Sequence, residues 1–107
     1  MANNMVIKQG DSTDIYEIEI EGLTDYTGYR ADVAVLNSKT KGVIIGPYSI
    51  GPADNKISVA LYPSQTALLQ PGMYIVVCEV IKEIDEVVMF RKEFSWTLQI
   101  TESLINN

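Results

Sequence analysis

Apolar and polar residues alternate along this chain with a period of two, the period of a strand that buries one face. Residues Ile15 to Glu21 open the pattern, with Tyr16, Ile18 and Ile20 on one face and Glu17, Glu19 and Glu21 on the other. The loop from Gly22 to Gly28 ends it. Tyr29, Ala31, Val33 and Val35 then alternate with Arg30 and Asp32, which predicts a second strand. A polar turn, Asn37 to Gly42, leads to Val43-Ile44-Ile45, which Gly46-Pro47 interrupts. Proline cannot donate to a ladder, so this stretch is expected at a sheet edge or a bend, with Tyr48-Ser49-Ile50 resuming it. Ile57, Val59 and Leu61 alternate with Lys56, Ser58 and Ala60. The run from Tyr74 to Ile81 is apolar on both faces except at Glu79, as a central strand should be. After a charged reversal over Lys82 to Glu86, Val87 to Ile100 closes the series, with Phe90, Phe94, Trp96, Leu98 and Ile100 on one parity. Lys92 interrupts that apolar face, which predicts a bulge or a strand end near it.

The one helical signal is Pro63 to Leu69, short and set between two strands. It runs into Leu69-Gln70-Pro71-Gly72-Met73-Tyr74. Pro71 fixes φ and Gly72 supplies a turn conformation that other residues avoid. In immunoglobulin-type sandwiches a tyrosine at the start of the sixth strand buries its ring and bonds its hydroxyl back to upstream backbone. Leu69, Pro71, Gly72 and Tyr74 have the spacing of that tyrosine corner; the plainer reading is a Pro-Gly turn before a strand. Strand spacings of about 8–15 residues favour an all-β, immunoglobulin-like antiparallel sandwich of about seven strands over a βαβ fold. The lone Trp96 sits on the last strand rather than the third, so a jelly roll or another sandwich stays open.

Composition narrows the chemistry. Residues 1–107 suffice for one domain with one core, and 47% of them are apolar, so the chain is not expected to be disordered. The net charge is −6 and the bases are scattered, with only Arg91-Lys92 adjacent, which argues against a nucleic-acid partner. No apolar run approaches the ~20 residues of a membrane helix, and Met1 to Met5 carries no secretion signal, so no membrane partner is expected. A single cysteine, Cys78, excludes an internal disulfide and reads as a small core residue. The absence of histidine removes the commonest general base and metal ligand. Asp11 and Asp14 flank Ser12-Thr13 as a conceivable calcium turn, but without the EF-hand pattern they read as capped or solvated surface. Glu17, Glu19 and Glu21 read as a solvated face, and Glu83, Asp85 and Glu86 as an exposed reversal. No catalytic residue, cofactor or metal site is assigned, and the chain is expected not to be an enzyme.

Four segments carry a resemblance: Ile7-Lys8-Gln9-Gly10-Asp11; Leu23-Thr24-Asp25-Tyr26-Thr27-Gly28-Tyr29; Ile57 to Leu69; and Pro71-Gly72-Met73-Tyr74. Taken in order over nearly the whole chain, they resemble the immunoglobulin-like N-terminal domain of phage baseplate upper proteins and related tail or fibre-attachment virion proteins. The resemblance implies a non-enzymatic virion structural protein, a tail, baseplate or fibre adaptor or a head decoration, present in many copies and made in the host cytoplasm. Its partners would be other virion proteins. The reversal at Lys82 to Glu86 departs from the family by lacking a glycine. The alternative is a carbohydrate- or protein-binding module outside a virion, for which Tyr26, Tyr29, Tyr48 and Tyr62 are the candidate aromatics.

Residues 1–5 and 102–107 are read as flexible or partner-bound ends. Met5, Val6 and Ile7 at one end, and Leu104 and Ile105 at the other, are the candidate partner contacts, by strand addition to a neighbour. The competing reading makes Val6-Ile7 the first strand of the chain's own sheet.

Overall fold

The computed structural model describes residues 4–102. In chain order these form β1 (Asn4–Lys8), β2 (Tyr16–Ile18), β3 (Tyr29–Asn37), β4 (Val43–Ile50), β5 (Ile57–Val59), the helical turn α1 (Pro63–Thr66), β6 (Gly72–Ile84) and β7 (Val87–Thr101). A five-stranded sheet runs β1-β7-β6-β3-β4, and β2 pairs with β5 in a sheet of two. The described residues therefore form an all-β sandwich with one helical turn just before the sixth strand. The sixth strand between the third and seventh, and the second beside the fifth, are the C-F-G and B-E neighbours of an immunoglobulin sandwich. One pairing departs from the antiparallel expectation: β1 runs parallel to β7, from Asn4 opposite Thr97 to Lys8 opposite Thr101.

The core lies between the sheets. Ala31, Val33 and Val35 of β3, Tyr74, Val76, Cys78 and Val80 of β6, and Trp96, Leu98 and Ile100 of β7 point inward and are buried. Ile18, Ile57, Val59 and Leu61 close over them from the small sheet. The Tyr16 and Trp96 rings stack across the gap, 4.4 Å apart and 15° from parallel. The strands of the small sheet are shorter than their alternation predicts. Beyond Ile18 the Ile20 amide donates to the Tyr26 hydroxyl (3.1 Å), and Leu61 bonds to Thr13, its amide donating to Oγ1 at 2.8 Å. A side-chain oxygen thus takes the place of a backbone acceptor at each of these two amides, while the Leu61 carbonyl accepts from the Thr13 backbone amide at 3.1 Å.

Lys92 is in register opposite Val80, and its ammonium lies 5.4 Å from the centre of the Phe94 ring. The bulge falls instead between Lys82 and Glu83, opposite Val88 and Phe90. Lys92 keeps its place because the short second sheet does not reach it, so its stem covers an aromatic face while its charge stays in water. The β6–β7 reversal is a two-residue turn in which Asp85 and Glu86 take positive φ of 52° and 66° without a glycine.

The corner before β6 has defined geometry. Leu69 is fully buried, and the Tyr74 hydroxyl donates to the Gln70 carbonyl at 2.6 Å with its ring in the core. Thr66 is buried as well, and its hydroxyl donates to the Asp11 carbonyl at 2.7 Å, tying α1 to the turn after β1. Tyr74→Phe should keep the fold and lose about 1–2 kcal/mol, since the Gln70 carbonyl is left without its partner. Urea denaturation followed by circular dichroism measures this, and an unshifted midpoint would show that the hydroxyl bond contributes nothing.

Candidate interaction surfaces

The fold does not bring the acidic segments of the sequence together. Asp11 turns back on Lys8, its amide donating to that carbonyl at 3.0 Å, while its own carbonyl is taken by Thr66. Glu17 lies 3.8 Å from the ammonium of Lys56, just before β5. Glu83 pairs with Arg30 at 2.9 Å, and this carboxylate raises the guanidinium pKa above its ordinary value. The Thr27 amide, donating at 3.0 Å, and the Thr27 hydroxyl hold the Asp25 carboxyl below its ordinary range, a cap for the loop before β3. Among the described residues no three His, Cys, Asp or Glu side chains converge as metal ligands. Cys78 is buried, and desolvation, with Asp32 adding to it, pushes its thiol up to about 11. A thiol so placed stays protonated at neutral pH and is no nucleophile.

What the surface offers is shape and apolar area. A groove of about 340 Å³ opens where the edge of the large sheet meets the small one, lined by Tyr48 and Ile50 of β4, Ser58 and Val59 of β5, and the flanking Ile15 and Tyr62. Of the four candidate tyrosines, only Tyr62 is exposed, at 66%. Tyr26 is buried, Tyr29 packs edge-on to Phe90 with Lys82 over its ring, and Tyr48 is half-buried. Asn55 joins the Tyr26 loop to the β4–β5 turn: its Oδ1 accepts from the Tyr26 amide at 2.7 Å and its Nδ2 donates to the Thr24 carbonyl at 2.6 Å. Tyr26 could contact a carbohydrate only if exposed, and it is buried in a loop that these long-range bonds hold in place.

The second feature is the hairpin end. β6 and β7 run past the start of β3, since Tyr29 pairs with Lys82 and, among the described residues, no strand flanks Glu83 to Val88. Ile84, Val87, Val88 and Met89 are all exposed there. Periodicity did not single them out, because their exposure depends on where the neighbouring strand stops.

The candidate end contacts divide. β1 belongs to the chain's own sheet, so Met5 and Ile7 pack against the core and only Val6 of the three faces outward. Leu104 and Ile105 lie outside the described residues. Pro71 and Gly72 are exposed beside the buried Leu69 and Tyr74. No protein-family model matches the chain, and no curated protein matches it.

Proposed function

We propose that this chain is a non-enzymatic structural protein of a bacteriophage virion, serving the tail, baseplate or fibre attachment or decorating the head, and that its work is to bind neighbouring virion proteins. The observation that carries the reading is the distribution of exposed apolar side chains. Four of them, Ile84, Val87, Val88 and Met89, gather on the projecting β6–β7 end, and among the described residues no cluster of metal-ligating side chains accompanies them. The resemblance over four ordered segments supplies the phage assignment, and each of those segments does a structural job. Gln9 donates its amide to Thr101, Asn55 holds Tyr26, Thr66 holds Asp11 and Tyr74 holds Gln70.

Mass spectrometry of purified particles from the phage that encodes the chain tests the proposal. The chain should be present in many copies. Its absence from particles, with a pool remaining in the host cell, overturns the virion reading. Glycan binding by that pool, lost on Tyr62→Ala, would instead assign the chain to the carbohydrate-binding alternative, for which the groove beside the exposed Tyr62 is the specific support.

A further inference from the structure

The two sheets do not match in width. β2 packs over β7, where Tyr16 stacks on Trp96, and β5 packs over β3. The next place in the small sheet lies over β4, and among the described residues no strand fills it. Tyr48 and Ile50 of β4 stand opposite Val33 and Ala31 in the ladder, so they share the inward face. Val33 and Ala31 are buried, whereas Tyr48 and Ile50 are only half-buried and line the groove beside β5. The groove is therefore the gap left by one absent strand, between sheets that pack about 10 Å apart.

Its wall is made of backbone as well as side chains. The Leu61 amide donates to Thr13 Oγ1 and the Leu61 carbonyl accepts from the Thr13 amide, so both face the β2 side. The hydrogen-bonding groups of successive strand residues point to alternate sides. Those of Ser58 and Ala60 accordingly face away from β2, into the groove, their amides as donors and their carbonyls as acceptors on an open edge. None of the eleven residues lining the groove is charged, in a chain of which 21% is. An unpaired edge calls for another backbone, and an uncharged wall for uncharged side chains against it. The outer edge of β4 is the poorer acceptor, because Gly46-Pro47 interrupts it.

The fold also limits what can bring that backbone. Two β5 edges paired antiparallel are related by a two-fold axis normal to the sheet. With β5 over β3, that axis would set the β3 of a second copy where β4 already lies. The incoming strand must come instead from a segment with no sheet beneath it.

We propose that β5 accepts an extended segment of another protein as a third strand of the small sheet. Ser58 and Ala60 bond its backbone, and its alternate side chains, apolar and uncharged, cover Tyr48 and Ile50. The site does not depend on the virion reading, since any protein with such a segment fits it.

A random heptapeptide library selected on the whole chain supplies the probe, and amide hydrogen exchange followed by NMR reads the site. In the free chain the Ser58 and Ala60 amides should exchange faster than those of Ile57 and Val59, which face β2. A selected peptide at saturation should slow Ser58 and Ala60 by about tenfold or more. Its sequence should carry apolar, uncharged residues at alternate positions. Ser58→Pro keeps the edge strand but removes one donor, so it should weaken the peptide about tenfold with circular dichroism unchanged. Should that variant unfold, exchange in the parent chain decides by itself. Protection of both amides in the free chain would mean that the chain itself or a second copy fills the edge, and overturns the proposal. So does a library that yields no peptide binding below roughly 1 mM, or peptides that bind and leave both amides exchanging as before.

Discussion

Replacing Trp96 by alanine should cost about 3–5 kcal/mol, the loss seen when a large aromatic is cut from a packed core. Against a total stability of roughly 5–15 kcal/mol for a domain of this kind, that is about a fifth of it at the least and nearly all of it at the most. Trp96 is 5% exposed and stacks on Tyr16, so it is where the small sheet is held to the large one. The strands of that small sheet are three residues each, and their backbone bonds alone cannot hold it. The substitution therefore removes buried area and a stacking pair together, and the cavity opens between the sheets where it cannot easily collapse. Trp96→Phe should recover most of the loss because a ring still faces Tyr16. Urea denaturation of the three proteins gives the comparison. A cost below about 1 kcal/mol for the alanine variant would mean that the two sheets are held together elsewhere.

Gly46→Ala should cost about 2–5 kcal/mol, combining a left-handed backbone penalty with overpacking. Gly46 takes φ of +82° where β4 bulges against β3. A Cβ there would lie 2.5 Å from the Val33 carbonyl oxygen and 3.1 Å from the Tyr48 amide nitrogen. Both are backbone atoms, so no side chain can swing aside to relieve the clash. β4 is an edge strand, and the relief open to it is to peel from β3, exposing Ile45 and Tyr48. Hydrogen exchange would then show faster exchange along β4 and the facing amides of β3 than along β6. An unshifted denaturation midpoint would contradict the stated geometry. By contrast Gly51, whose added Cβ meets nothing within 4 Å, should accept alanine with little change.

The corner before β6 shows how far local chemistry can be read. Pro71 and Gly72 turn the chain, Leu69 is an apolar residue at a turn, and Tyr74 is amphipathic at the head of an apolar strand. Those four facts suffice to place a buried ring with its hydroxyl directed at nearby backbone, because donor and acceptor are four residues apart. Tyr26 shows the opposite case. Its amide is held by Asn55 and its hydroxyl by the Ile20 amide, and the first of these partners is 29 residues away. Nothing in a polar loop distinguishes a tyrosine that will be enclosed this way from one that projects into water.

Strand periodicity was legible wherever one face meets the core and the other meets water. In β7 the parity of Phe94, Trp96, Leu98 and Ile100 against Ser95, Thr97 and Gln99 gives the inward face directly. Lys92 was the misleading position: an ammonium on the inward parity looked like a broken strand. The strand continues, because the second sheet is too short to enclose that residue and Phe94 offers it a ring.

The sequence by itself determined that this chain is all-β, which residues of β3 and β7 face inward, where the chain turns, and that histidine is missing. These follow from local rules, since alternation, φ preference and side-chain chemistry are properties of neighbouring residues. Only the tertiary structure decided that β1 runs parallel beside β7, that β2 and β5 stop after three residues, and that the β6–β7 end projects. Each of these depends on register between strands far apart in the chain. Register is set by the summed packing of the two sheets, a quantity to which no single segment holds more than a small share.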